Sequence, residues 1–419
     1  MSRYYPRFAE KQIEKKLRTS GAVLIEGPKF CGKTTTSMRY AKSSIRLITN
    51  QAIELARLET RNILQGDIPR VIDEWQTVPD IWNEVRGWVD EHPGFGQFIL
   101  TGSSTPADME RILHSGAGRI TKVKMKPMSL AESEDSHASV SLKELFGSSD
   151  VSVYDENPDF DLADMARLIC RGGWPLSVTC DQDIAVDVTH NYYSGLFNFE
   201  YSENQKFRNK NPDLMRMILK SYARNISSEA SVQTIRADVI GNNNRTLDTK
   251  TMDDYLEALR DLFLIEDIEA WNPNLRSKTA VRTTATRHFV DTSVAAAALS
   301  ISPNDLMNDL QTLGLFFEDL AVRDLKIYTG LLDGEVMHYR DARGLECDAV
   351  LHLSDGRWAL CEIKLGGEKL VEEGAANLNK LSSIVDQKNM AFAMILTAVG
   401  PAYRRRDGIY VVPLNCLGA

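Results

Sequence analysis

The chain has 419 residues, 43% hydrophobic and 26% charged, with a formal net charge of −9. That length exceeds one ordinary core and predicts roughly two to four globular domains, while the absence of any apolar run of about 18 residues argues against a membrane helix. The six cysteines (Cys31, Cys170, Cys180, Cys347, Cys361 and Cys416) form no CxxC pair and show no metal-ligand spacing, as expected of reduced thiols in a cytoplasmic protein.

The acidity is unevenly placed. Residues 131–165 hold ten acids against one base, Lys143, so this segment alone carries the whole net charge. Residues 203–250 hold nine bases and five acids. A local basic surface is therefore compatible with the global charge, although indiscriminate binding to polyanions is not.

The N-terminus, "MSRYYPRFAEKQIEKKLRTSG", is charged throughout and predicts an amphipathic helix, with no apolar core of a signal peptide. Five β-type runs follow at 22–27, 44–49, 70–75, 97–104 and 118–125, separated by helical stretches. Apolar runs in that alternation predict an α/β core with a parallel sheet covered on both faces. The acidic segment 131–165 reads as a poorly packed connection with a short helix, followed by a turn at "CRGGWP".

From about 185 to 270 the periodicity is helical. Met252, Tyr255, Leu256, Leu259, Leu262 and Phe263 share one stripe, with the helix start placed at Thr251. Two helices, a polar turn and an extended segment carrying Arg276, Lys278, Arg282 and Arg287 resemble a winged helix-turn-helix. The last 110 residues predict a helix, strands near 335–341, 347–353 and 358–365, a helix at about 370–386, and two more strands in "AFAMILTA" and "IYVVPL".

"GPKFCGKTT" follows "VLIE" and opens a helical stretch, the context that a phosphate-binding loop requires. Gly27, Pro28, Lys29, Cys31, Gly32, Lys33, Thr34 and Thr35 form the candidate ATP site. The glycines let backbone N–H groups close around phosphate oxygens at a helix N-terminus. Lys33 is expected to reach the β- and γ-phosphates and Thr34 to hold Mg²⁺. Cys31 reads as a tolerated variable position. In "RVIDEWQ", Asp73 is placed in the Mg²⁺ shell and Glu74 as the base that polarises the attacking water. "FILTGSS" offers Thr101 or Ser103 to sense the γ-phosphate. In "GAGRI", Arg119 reads either as an arginine finger, in cis or in trans, or as a structural salt bridge.

The series "GPKFCGKTT", "VIDEWQ", "ILTGSS" and "AGRI" resembles the predicted bacterial and archaeal AAA-type ATPases that carry a C-terminal domain related to restriction endonucleases. "GGWP" and "HFVDTSVA" match the style of that family. The resemblance runs over nearly the whole chain. It implies an AAA-type P-loop core at 1–130, an acidic connection and helical lid at 131–200, a winged-helix-like region at 201–287 and a nuclease-like α/β domain at 288–419.

In "ECDAVLHLSDGRWALCEIK", alternation along a strand puts Glu362 and Lys364 on one face, and a turn at "SDGR" returns the chain so that Asp348 faces Glu362. Two such carboxylates can share Mg²⁺, with Lys364 positioning water or neutralising developing charge. Glu318, in "FFEDLAV", could complete the metal shell. The pattern resembles the PD-(D/E)XK nuclease superfamily; a buried Lys–Glu pair would satisfy the same groups without metal.

Two functions are open on these residues. One is Mg²⁺-dependent ATP hydrolysis coupled to a tail that binds or cuts DNA or RNA. The other is an ATP-dependent switch that recognises a protein partner, with the nuclease-like domain as an inactive scaffold. AAA-type cores often form rings, so a homo-oligomer is an expectation of the resemblance.

Overall fold

The structure, a computed structural model, describes residues 3–103, 112–113, 115–148, 151–157, 159–197, 210–241, 246–272, 284–385 and 387–419. Five parallel strands form the N-terminal sheet: β1 (Ala22–Glu26), β2 (Ser43–Arg46), β3 (Arg70–Asp73), β4 (Phe98–Gly102) and β5 (Ile120–Lys124), in spatial order β2-β3-β4-β1-β5. The central strand β4 is buried at every position. Val23, Ile25, Val71 and Ile99 enter the main core, while Leu24, Ile72, Phe98 and Leu100 pack with Trp75, Trp82 and Val85 on the opposite side. Burial of both faces explains why β1 and β4 are continuously apolar, whereas the edge strands β2 and β5 keep polar, partly exposed positions. Each strand lies within three residues of its expected bounds.

The N-terminal helix, Ala9–Leu17, buries Ile13 against the sheet and reaches the far part of the chain. Gln12 Nε2 donates to Gly330 O at 2.7 Å.

The acidic segment corrects the expectation of a poorly packed connection. It supplies β6 (Val140–Ser141), a short helix (Leu142–Gly147) and β7 (Tyr154–Asp155). Val140, Leu142, Leu145, Phe146 and Val153 are buried, and the Phe146 ring meets Phe392 edge-on at 5.0 Å. Glu134, Glu144 and Glu156 lie outside while Glu132 is buried against Arg7, so buried apolar positions among exposed acids, masked by high overall charge, are what the composition concealed.

Three helices, Pro212–Arg224, Val232–Gly241 and Thr249–Asp261, form the middle region, followed by antiparallel bridges Ile265↔Phe289 and Ile268↔Thr286. Met252, Tyr255, Leu256 and Leu259 are buried as the stripe requires. The helix start is one turn earlier than expected: Asp248 is the cap, its carboxylate accepting from Thr251 N at 2.8 Å. Arg276, Lys278 and Arg282 lie outside the described residues. Arg287 is buried, not a surface base; its guanidinium donates to Asp267 and to Ala230 O, each at 2.8 Å.

The C-terminal sheet has seven strands in the order β7-β12-β13-β11-β10-β9-β8. These are β8 (Gly334–Arg340), β9 (Glu346–Leu353), β10 (Trp358–Lys364), β11 (Met390–Thr397), β12 (Ala402–Arg404) and β13 (Tyr410–Pro413), with β7 added from the acidic segment. β8, β9 and β10 are antiparallel neighbours, and β10, β11 and β13 run parallel. The helix Leu310–Leu331 packs on one face and Glu368–Ser382 on the other. A last short strand, β14 (Leu417–Gly418), pairs with β6.

Candidate functional site

The P-loop begins where β1 ends. Gly27 has φ +156°, and a Cβ there would stand 2.0 Å from Met125 O, so a side chain cannot be accommodated. Phe30 (φ 63°) and Gly32 (φ 104°) turn the loop through left-handed conformations into the helix Lys33–Met38. Lys33 is buried, and its ammonium donates to Gly27 O at 2.9 Å and Pro28 O at 2.7 Å. Lys29 and Thr35 are exposed beside it and Pro28 is buried. Cys31 is fully buried with its thiol toward Met125 O, a packing role.

Asp73 ends β3 and is 1% exposed. Its Oδ1 accepts from the Thr34 hydroxyl at 2.9 Å and from the Thr101 hydroxyl, and its Oδ2 faces Arg46 Nε at 3.1 Å. Register places these partners: Arg46 and Thr101 sit opposite Asp73 on the two flanking strands. Glu74 follows in the left-handed region at φ 61°, a conformation that costs a non-glycine residue on the order of 1 kcal/mol and clusters at functional sites. Its carboxylate accepts from Ser103 Oγ at 3.1 Å and from Gln76. The alternatives for sensing thus separate: Thr101 serves Asp73 and Ser103 serves Glu74.

Arg119 is placed elsewhere. β5 runs parallel to β1, with Ile120 opposite Ala22 and Lys124 opposite Glu26. Arg119 precedes Ile120 and therefore lies at the other end of the sheet from Gly27. It donates to Asp90 Oδ1 at 2.7 Å, the salt-bridge alternative. This strand direction sets Arg119 away from the phosphate loop of its own chain.

Two arginines at the site carry no sequence motif. Arg46 flanks Asp73. Arg7, 5% exposed, donates to Cys31 O at 2.6 Å and Lys126 O at 2.7 Å and pairs with Glu132 at 3.2 Å, tying the loop to the chain beyond β5. Only the fold puts "YYPRF" under the loop.

In the C-terminal sheet, Cys361 pairs with Ala349, so continuing the antiparallel register sets Glu362 opposite Asp348. Lys364 bridges them: its ammonium is 3.1 Å from Asp348 Oδ2 and 2.8 Å from Glu362 Oε2. Asp348 Oδ2 also accepts from Ile363 N at 2.7 Å, and Asn377, on the covering helix, donates to Glu362 Oε1 at 2.6 Å. Burial, then the charge of Asp348, pushes the Glu362 carboxyl up; the same two causes push Glu318 well up. Burial alone would lower the Lys364 ammonium, but Asp348 and Glu362 outweigh it and raise it. The four expected residues thus feel one another's charges. Glu318, Asp348 and Glu362 do not form a trio of ligand atoms mutually within 4.8 Å; among the described residues that closeness belongs to His137, Asp155 and Cys416.

Residues 19–134 match the family model described as an AAA domain. Residues 162–305 and 313–417 match two domains of unknown function, DUF8612 and DUF4143. Uncharacterized proteins of Mycobacterium tuberculosis and Mycobacterium bovis are each 26% identical over 130 residues, 30% of this chain and 30% of each relative. The match therefore spans under a third of those relatives' length. Among solved structures, the Walker-type ATPase of Pyrococcus abyssi aligns over 70% of this chain and 96% of its own, at 14% identity and a TM-score of 0.45. RuvB of Thermotoga maritima aligns over 62% and 88%, at 15% identity and a TM-score of 0.27. The N-terminal part of the chain carries an AAA-type P-loop domain, and among the described residues no helix is long and apolar enough to cross a membrane.

Proposed function

We propose that this chain binds and hydrolyses ATP at Gly27–Thr34, with Asp73 and Glu74 completing the site, and couples nucleotide state to the C-terminal sheet. The observation that carries this reading is the contact of the Thr34 hydroxyl with Asp73 Oδ1 at 2.9 Å, beside a strained Glu74. Hydroxyl and carboxylate oxygens are the donors that Mg²⁺ prefers, so Thr34 and Asp73 fit as its holders. Bound there, Mg²⁺ would supply charge neutralisation for the phosphates.

The chain's own groups have separable tasks. The loop N–H groups and Lys33 bind phosphate oxygens, Lys33 leaving the carbonyls of Gly27 and Pro28 to do so. Glu74 takes the proton of the attacking water, oriented by Ser103 and Gln76. Thr101 and Arg46 hold Asp73. A ring, in which Arg119 serves a neighbouring copy, remains part of this proposal. Phosphate release that is measurable for wild type and abolished in Lys33→Ala is the expected result; equal release by both would overturn it.

For the C-terminal sheet we infer phosphodiester chemistry on DNA or RNA. Support comes from the order helix, three antiparallel strands, helix, parallel strand, with Asp348 opposite Glu362 and Lys364 on the same face. The paired carboxylate oxygens suit Mg²⁺, and Lys364 would stabilise charge developing on the phosphate. Plasmid or single-stranded nucleic acid incubated with Mg²⁺ should be cut by wild type and not by Asp348→Ala.

A second reading is favoured by one observation. Lys364 already pairs with both carboxylates, and the bases Arg216, Arg224, Arg260 and Arg287 of the middle region each contact an aspartate. On that reading the chain is an ATP-dependent switch for a protein partner, with an inactive nuclease-like scaffold. Partner capture that needs ATP and is lost in Lys33→Ala, without nucleic-acid affinity at low salt, would select it.

A further inference from the structure

Away from both sites, three unlike side chains converge. His137, Asp155 and Cys416 present a ring nitrogen, a carboxylate oxygen and a thiol sulfur that all lie within 4.8 Å of one another. They come from distant parts of the chain, brought together by two small strand pairings. β6 pairs with β14, and β7 pairs with β12.

The frame around them is fixed by the protein's own bonds. His137 N donates to Asn415 O at 3.0 Å. Asp155 Oδ1 accepts from Asn157 N at 3.0 Å, while its Oδ2 accepts from Ser139 Oγ at 2.6 Å and faces His137 Nε2 at 2.6 Å. Asn157 and Asn415 exchange side-chain hydrogen bonds at 3.0 and 2.7 Å. Cys416 is fully buried, with its sulfur 4.0 Å from Asn415 Oδ1, beyond a good hydrogen bond. The His137 side chain is 48% exposed, which leaves an entry path and a solvent side.

We propose that His137, Asp155 and Cys416 form a binding site for a zinc-class divalent cation, with solvent in the fourth position, which staples residues 137–155 to the C-terminal strands. Imidazole, carboxylate and thiolate are the ligand types that Zn²⁺ takes in tetrahedral sites, whereas a sulfur ligand disfavours Mg²⁺ and Ca²⁺. Ser139 and Asn157 fix the carboxylate as outer partners do in such sites. On binding, the Cys416 S–H bond breaks, its proton passes to solvent and its electron pair forms the bond to the cation; no oxidation is involved. Without a cation, burial and the charge of Asp155 push that thiol up to about 12 and keep it protonated.

The test uses the full chain, stripped with a chelator and titrated with Zn²⁺ or Co²⁺. One tight Zn²⁺ per chain is expected, and the Co²⁺ form should show a thiolate-to-metal charge-transfer band. That band reports sulfur alone and is blind to cations at Asp73 or Asp348. Cys416→Ser should abolish the band, Cys180→Ser should leave it intact, and Asp155→Asn should weaken Zn²⁺ binding by roughly tenfold or more. Asp155→Asn keeps the side-chain shape but exchanges one acceptor oxygen for a donor amide, so its Zn²⁺-induced rise in melting temperature, read against its own baseline in chelator, should shrink relative to wild type. Absence of the band in wild type, or its persistence in Cys416→Ser, would overturn the site.

Discussion

Arg323, 2% exposed on the helix Leu310–Leu331, donates through Nη1 to Asp291 Oδ2 at 2.8 Å. The same oxygen accepts from Gly173 N at 2.9 Å, in the "GGWP" turn. Arg323 also forks onto Asp324 Oδ1 at 2.9 and 2.7 Å, and Asp324 Oδ2 accepts from Leu130 N at 2.9 Å. Four regions of the chain thus meet in one buried polar knot. It joins the segment after β5, which Arg7 ties to the P-loop, to the helix beneath the C-terminal sheet. A physical connection between nucleotide and tail would run through it.

Removing one partner of such a knot leaves a buried charge uncompensated. Asp291→Ala is therefore expected to destabilise the protein by about 3–5 kcal/mol, read as a fall in the urea midpoint at unchanged slope. A change within about 0.5 kcal/mol, the range of an ordinary surface substitution, would mean that the knot contributes nothing.

Glu74 makes a sharper prediction about chemistry. Glu74→Gln retains the shape and the contacts to Ser103 and Gln76 but cannot accept a proton. Turnover should fall by roughly 10²–10⁴-fold while ATP affinity, measured by fluorescent-nucleotide binding, is preserved. A variant as fast as wild type would remove Glu74 from the base's position.

Lys364 separates the two readings of the C-terminal sheet. Lys364→Met leaves Asp348 and Glu362 facing each other across the strands, a repulsion that should lower stability by about 2–3 kcal/mol because the site is partly exposed. If the carboxylates can share a cation, Mn²⁺ will raise the melting temperature of this variant more than that of wild type. No Mn²⁺ effect would mark the pair as a structural clasp.

Acid should find a buried imidazole. His338 is 3% exposed and sits on Thr284 O at 2.9 Å, with Glu229, Glu269 and His288 as its charged or titratable neighbours. Burial, the largest cause, lowers its pKa below the ordinary value. The unfolded chain thus binds the proton more readily than the folded one, so this group's stability is complete above the unfolded pKa and is lost as pH falls through about 6.5 towards the lowered folded value. Denaturant midpoints between pH 7.5 and 5.5 should fall less steeply in His338→Gln than in wild type. Parallel profiles would show that His338 is not a source of acid lability.

Much of this was written locally. The P-loop, the strand-end Asp73-Glu74 pair and the five apolar runs follow from spacing and burial alone, since a phosphate loop needs its glycines between strand and helix. The hairpin that sets Asp348 opposite Glu362 is likewise local, because antiparallel register across a short turn allows few alternatives. The acidic segment was misread because mean charge hid buried positions such as Leu142, Leu145 and Phe146. Arg119 stood beside a glycine turn in sequence, and only strand direction placed it away from the nucleotide.

The sequence by itself determined which residues could bind phosphate and which carboxylates would share a strand pair, because those depend on neighbours within a turn or a hairpin. Only the tertiary structure decided that Arg7 underlies the P-loop, that Arg323 binds Asp291, that the strand near 155 extends the C-terminal sheet, and that the one near 140 pairs separately with the chain's last strand. Those contacts join segments from 24 residues apart, for Arg7 and Cys31, to 281 apart, for Ser136 and Leu417. Their partners are chosen by how whole sheets and helices pack, and no local pattern of residues carries that information.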